Sequence, residues 1–403
     1  MAKREYAAVY GTESIDTPTW YSESQKVREA RRSDARATFD GVVDELTNEY
    51  GATTRKCFYE DDAIGGKFEV PHRRVVVNPA WEGEDGTENA PQEHAAWTTA
   101  SEDYTPINAD QALGLIPSVA SEFGYDDLFG AVHAYRNGGE VVAEVILDDL
   151  RVEYEGVEYV FGFEAGYDHY ASTAVWARLL AYNTETGACL RHLSGRMTCA
   201  HRGGQIDERI AIWFENVLEK AERLGDKMYE VVAEADAYEI GIGELPFGMT
   251  EWFSALGYPD SYAEDAGDML PDDEDVSALD AYAAITSVIT TEYEGKKVGR
   301  GIKRHAGRAN EILFAPDAVE RDVLDTLLAG YESQSSLDAF DEDELDDEDI
   351  EDVRARYDTL DEGVEGFRNF RDRVKHILEN SEGVDEDEGE EQSDKQGVPA
   401  GGQ

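Results

Sequence analysis

LFGAVHAYR (residues 128–136), NGG (137–139), EVVAEVILDDL (140–150), RVEYEGVEYVFGF (151–163), STAVWARLLAYN (172–183) and ACLRHLSGRMT (188–198) crowd the middle of the chain. Branched and aromatic residues dominate these runs, and short Gly- or Asn-containing breaks separate them, as in strands joined by tight turns. Asn137-Gly138, Glu155-Gly156 and Thr186-Gly187 are the turn signals, because such pairs reach positive φ at little cost. The spacing predicts an antiparallel sheet of five or six strands over residues 128–200.

On the C-terminal side the period changes. Ile206, Ile210, Trp213, Phe214, Val217, Leu218 and Ala221 recur every three or four residues, the stripe of a long helix that buries one face. Shorter helices are expected over 248–256, 276–293 and 317–329. Residues 332–352 lack Lys and Arg, and their core DEDELDDEDIED (341–352) reads as a solvated acidic linker. A last amphipathic helix over 353–380 and a disordered acidic tail over 381–403 complete the chain.

On the N-terminal side, residues 22–50 have helical spacing and Gly51 is a plausible stop. Residues 53–77 read as two strands turning at Gly65-Gly66, and 81–102 as an exposed loop. The fold class is therefore α+β: an antiparallel sheet packed against long helices, with an appended C-terminal helix. The organisation expected is an N-terminal helix and hairpin region (1–103), a core (104–330), an acidic linker (331–352), the helix and the tail.

The charge balance is extreme. Against 89 Asp and Glu stand 36 Lys and Arg, a formal net charge of −53. In dilute buffer that charge opposes compaction, whereas in 1 M salt the Debye length is only ~3 Å and the repulsion is screened. The hydrophobic content of 41% and the 41 aromatic residues argue against intrinsic disorder. The composition is that of a halophilic protein. Three scattered cysteines, a polar N-terminus and the absence of any run of roughly 18 apolar residues point to a cytoplasmic protein without a membrane partner.

Three clusters could carry chemistry. KKVGRGIKRHAGR (296–308) holds Lys296, Lys297, Arg300, Lys303, Arg304 and Arg308 without a single acid. Its glycines would let backbone amides approach a phosphate, so it is a candidate nucleic-acid contact, with pairing to the protein's own acidic surface as the alternative. Asp168-His169, in a turn between strands, could be half of a hydrolytic site, or simply a hydrogen-bonded turn. Cys189, His192, Cys199 and His201 supply four possible metal ligands in thirteen residues, but their spacing is unlike that of structural zinc sites. Walker, Rossmann, His-Glu-x-x-His and kinase motifs are absent from the sequence, and no cofactor is expected.

With these segments in view, residues 104–315 resemble the plasmid- and phage-related family called domain of unknown function 932. Tyr104-Thr-Pro-Ile107 before the Asp110 helix is similar to that family's Tyr-x-Pro-Ile segment. Asp168-His169 with Ser172-Thr173-Ala174 stands where the family has a His-Asp-Gly-Ser-like turn, and Arg196-Met-Thr-Cys199 resembles its Arg-Val-Val-Cys strand. Ile206-Asp-Glu-Arg209 and Ala284 to Tyr293 are similar to its Ile-Glu-Glu-Arg helix and Thr-Glu-Tyr segment. The order of elements also resembles the β-β-β-α core of single-strand annealing proteins.

The resemblance implies a plasmid, provirus or virus setting. The leading expectation is a non-enzymatic accessory of replication, recombination or annealing. It would engage single- or double-stranded DNA through 296–308 and the Arg191–Arg209 region. A metal-assisted hydrolase or nuclease, and a structural or regulatory module docking a protein partner through the C-terminal helix, are the alternatives.

Overall fold

The computed structural model describes residues 5–11, 29–30, 33, 35–61, 65–79, 96–170, 174–184, 189–191, 194–200, 205–241, 247–271, 276–293, 300–334, 347–362 and 367–380. In chain order the elements are β1 (Tyr6–Tyr10), α1 (Phe39–Tyr50), β2 (Thr53–Asp61), β3 (Gly66–Val77), β4 (Ala96–Ser101), α2 (Ala109–Ala112), α3 (Ile116–Glu122), β5 (Leu128–Tyr135), β6 (Glu140–Tyr154), β7 (Val157–Asp168), β8 (Val175–Asn183), β9 (Cys189–Arg191) and β10 (Met197–Cys199). There follow α4 (Ile206–Ala237), β11 (Glu239–Ile240), α5 (Met249–Ala255), α6 (Asp260–Gly267), β12 (Val276–Ser277), α7 (Ala278–Tyr293), α8 (Arg300–Phe314), α9 (Pro316–Gln334), α10 (Asp347–Glu362) and α11 (Phe370–Asn380).

Six strands from 128–200 build one antiparallel sheet, as the turn signals require. Glu155 and Gly156 both have positive φ, which closes the β6–β7 hairpin with the right twist. The sheet runs β1-β5-β6-β7-β8-β10, with β9 also on β8. Its first strand is a correction: Tyr6–Tyr10, read as polar N-terminus, pairs with Gly130–Ala134 of β5. β1 thus belongs to the central sheet, and Tyr10 with Phe39, Val42, Val43 and Leu46 of α1 joins the main buried cluster. Ala96–Ser101, expected to be loop, pairs with β3 in a separate three-stranded sheet, β2-β3-β4.

Side chains alternate across the central sheet, and β7 is buried on both faces. Tyr159, Phe161, Phe163, Ala165 and Tyr167 share the face covered by α4, where Phe163 meets Phe214 at 5.9 Å between ring centroids. The buried positions of α4 recur from Ile210 through Phe214, Val217, Leu218, Ala221, Leu224 and Met228 to Ala235, so its stripe is continuous over the sheet. The opposite face carries Glu144, Glu164, Trp176 and Arg178, aligned by the register Glu144↔Glu164↔Arg178.

The C-terminal helix expected over 353–380 is two helices. Residues 331–334 and 347–352, expected in the acidic linker, are helical, and 335–346 and the tail 381–403 lie outside the described residues. In α11, Asn369 caps the first turn by accepting from the Asp372 amide at 3.1 Å, and Phe370 and Val374 are buried in the core. Glu311 accepts from the Phe370 amide at 2.6 Å, and Arg373 donates to the Phe314 carbonyl at 3.0 Å. The apolar face of α11 is therefore occupied by the body of the molecule, not held out on a tether.

Candidate functional site

Sequence-flagged residues have mixed fates. The basic window is not a glycine-rich loop where it is described: Arg300–Phe314 is α8. Amides in a helix interior are bonded within the helix, so Gly307 cannot offer a phosphate cradle there. Arg308 turns inward and donates to the Gly257 carbonyl, and His305 is buried against Tyr258. Arg304 is exposed. Lys296 and Lys297 lie outside the described residues, as do the side chains of Arg300 and Lys303.

Asp168 and His169 are not open to a substrate. Asp168 accepts from the Tyr170 amide at 2.8 Å, and His169 is fully buried, its Nε2 3.0 Å from the Tyr50 carbonyl and its ring 4.5 Å from Trp97. This is the hydrogen-bonded turn. Burial lowers the His169 pKa to about 4. The folded state therefore binds fewer protons than the unfolded chain between about pH 6.5 and 4, so this contribution is full above pH 6.5 and is lost on acidification. In 3 M KCl, denaturant unfolding at pH 5 should show about 2 kcal/mol less stability from His169 than at pH 7. His169→Phe should flatten that part of the pH dependence.

Of the four candidate metal ligands, the two cysteines are not brought together. Cys189 is paired with Tyr182 and Cys199 with Val175, at opposite ends of β8. Seven residues of strand separate them by about 23 Å, whereas thiolates sharing a zinc each lie about 2.3 Å from it. Cys199 instead sits near the Arg209 carbonyl, 4.0 Å away. His192 and His201 lie outside the described residues, as does the side chain of Cys189.

What the fold does assemble is a cationic cavity at the split edge of β8. β9 covers Leu180–Tyr182 and β10 covers Val175–Ala177, which leaves a gap at Arg178 and Leu179. The Leu179 amide is met there by the Ser194 hydroxyl at 3.1 Å. The gap opens into a cavity of about 770 Å³ lined by Arg178, Arg196, Lys220, Arg371 and Lys375, with Asp372 and Glu379 as the acids among its described lining residues. Met197, Val374 and Leu378 supply the apolar lining. The volume lies within the range of ordinary ligand pockets.

An indole organises its cations. The Arg196 and Arg178 guanidinium carbons lie 4.2 and 4.7 Å from the Trp176 ring centroid, within cation–π range. Trp176 lies directly over Gly166, where any Cβ would stand 2.5 Å from the indole. Arg178 also pairs with buried Glu164 at 3.0 Å. Among the described residues, Arg196, Lys220 and Arg371 have no carboxylate within 4 Å. In a chain with 89 acids that is unusual company for three cations.

Of this set only Arg196 lay in a region singled out from sequence for nucleic acid, while Arg371 and Lys375 lay in the C-terminal helix expected to dock a protein. Arg371 and Lys375 had a readable signal in FRNFRDRVKH (367–376), which holds four bases and one acid. Arg178 and Lys220 had none, because each lies in an ordinary strand or helix window among acidic and apolar residues.

No protein-family description matches the chain, and neither a curated protein nor a solved structure shows significant similarity to it. Among the described residues, no helix is long and apolar enough to cross a membrane.

Proposed function

We propose that the protein is a non-enzymatic, nucleic-acid-binding accessory that seats backbone phosphates in the cavity at the β8 edge. One observation carries this reading: five basic side chains from β8, the β9–β10 segment, α4 and α11 converge on one cavity although the chain is overwhelmingly acidic. Local composition does not explain convergence from positions 178, 196, 220, 371 and 375. The guanidinium groups of Arg196 and Arg371 and the Lys220 ammonium, which no carboxylate approaches within 4 Å among the described residues, suit a phosphodiester, whose charge they would neutralise with release of counterions.

The motif order shared with domain of unknown function 932 supports a plasmid, provirus or virus setting, and we extend the proposal to a divergent, salt-adapted member acting in the cytoplasm. Lys296, Lys297, Arg300, Lys303 and Arg304 remain in the proposal as a second phosphate contact.

The test is fluorescence anisotropy with a labelled DNA oligonucleotide in KCl concentrated enough to keep the fold intact. Arg196→Ser combined with Lys220→Ser should weaken binding at least tenfold. An affinity equal to the parent's would overturn the reading. Because neither side chain is buried, the unfolding midpoint should move little.

A further inference from the structure

The sheet formed by β2, β3 and β4 carries a second anomaly. Large apolar side chains are placed in water on its β2–β3 hairpin: Phe58 is 52% exposed, Tyr59 51% and Phe68 37%. Tyr59 and Phe68 are cross-strand partners with ring centroids 5.5 Å apart, so they form one aromatic platform. Phe58 precedes Tyr59 in the strand and projects from the other face of the ribbon. Both faces of the hairpin therefore present a ring to solvent.

The charge of the same hairpin runs against the rest of the chain. β2 and β3 contain Arg55, Lys56, Lys67, Arg73 and Arg74 against Glu60, Asp61 and Glu69, whereas the whole chain has 36 bases to 89 acids. Lys56 and Lys67 pair with Glu69 and Glu60 at 2.9 and 3.4 Å. Among the described residues, Arg73 is exposed and Arg74 half-buried, and neither has a carboxylate within 4 Å. Exposed rings at the turn end of the hairpin, with two guanidinium groups further along β3, supply the chemistry that holds unpaired bases and their phosphates.

From this juxtaposition we propose that the β2–β3 hairpin binds single-stranded nucleic acid, with bases stacking on the Tyr59–Phe68 platform and on Phe58 and phosphates drawn to Arg73 and Arg74. A duplex hides the faces of its bases, so the hairpin selects the single strand. Stacking also survives salt that weakens phosphate contacts, whose binding constants fall steeply with salt concentration. The hairpin deepens the phosphate-binding reading by naming the strand state, and it stands on residues that the cavity does not share.

The experiment uses the full-length protein in molar KCl and three labelled probes of equal length: oligothymidylate, an abasic oligonucleotide with the same phosphates, and a duplex. Tyr59→Ser with Phe68→Ser should lose oligothymidylate affinity about tenfold or more while binding the abasic probe as the parent does. Phe58→Ser, on the other face, should weaken oligothymidylate in the same direction. All of these side chains are well exposed, and an unchanged unfolding midpoint checks the fold.

If oligothymidylate affinity survives these changes while Arg196→Ser with Lys220→Ser lowers it, the hairpin proposal is wrong and the cavity reading stands. The reverse pattern removes the cavity and keeps the hairpin. No binding of any probe overturns both. Association of the hairpin with anionic phosphatidylglycerol vesicles, without oligonucleotide binding, would also overturn it, in favour of a lipid surface.

Discussion

In 0.1 M KCl the protein is expected to lose its near-ultraviolet circular dichroism and its cooperative melting, and in 3 M KCl to regain both. The cause is the net charge of −53 on 403 residues. At low ionic strength a Debye length of 10 Å or more lets these charges repel across the whole molecule, and at 1 M it is only ~3 Å. The transition is expected below about 0.5–1 M KCl, where screening begins to fail. Dense acid such as Asp341–Asp349 also crowds carboxylates that a hydrated cation layer would separate. Acidification towards pH 4.5 in dilute buffer should restore compactness only in part. Protonated carboxylates no longer repel, but buried His169 then opposes folding, because its folded-state pKa is lowered to about 4. His305, lowered to about 4 chiefly by burial and then by Arg304 and Arg308, acts in the same direction. Equal melting temperatures in 0.1 M and 3 M KCl would show that the charge is tolerated locally, without salt adaptation.

Replacing Arg356 by Ala should destabilise the protein by about 3 kcal/mol or more, the usual cost of orphaning a buried partner. Glu320 on α9 is completely buried. Its two oxygens are held by Arg356 of α10 at 2.9 and 3.1 Å, by the Tyr238 hydroxyl at 2.6 Å and by the Gly241 amide at 3.4 Å. Removing the guanidinium leaves a desolvated carboxylate with only two neutral donors. Glu320→Gln with Arg356→Met, which removes both charges, should recover much of the loss. Guanidinium unfolding in molar salt measures both variants. A parent-like midpoint for Arg356→Ala would mean that α10 contributes little to the body, and that Glu320 relaxes into water.

These contacts show which parts of the architecture local sequence carries. Asn137-Gly138 and Glu155-Gly156 announced their hairpins because positive φ at those positions is a local requirement. The long helix was equally legible from its Ile210–Phe214–Val217–Ala221 stripe. β1 was not, since five residues among charges acquire strand character only by pairing with β5, some 120 residues away. Within the 296–308 window, whose glycines suggested a backbone approach to phosphate, Gly301 and Gly307 disfavour a helix. Burial of His305, Ala309, Ile312 and Leu313 overrides that local preference. The β8-edge cavity was almost invisible in sequence for a stronger reason: its cations become neighbours only when the sheet edge, α4 and α11 meet.

Salt dependence of DNA binding tests the cavity most directly. Titrations of labelled single-stranded DNA at several KCl concentrations between about 1 and 3 M give the slope of log K against log[KCl], roughly −0.7 per neutralised phosphate. If Arg178, Arg196, Lys220, Arg371 and Lys375 seat three to five phosphates, the parent slope should lie near −2 to −3.5. Arg196→Ser with Lys220→Ser should make it shallower by about 1.4, since two contacts are gone. A slope unchanged by the double substitution, or no measurable binding by the parent, would contradict phosphate binding at the β8 edge.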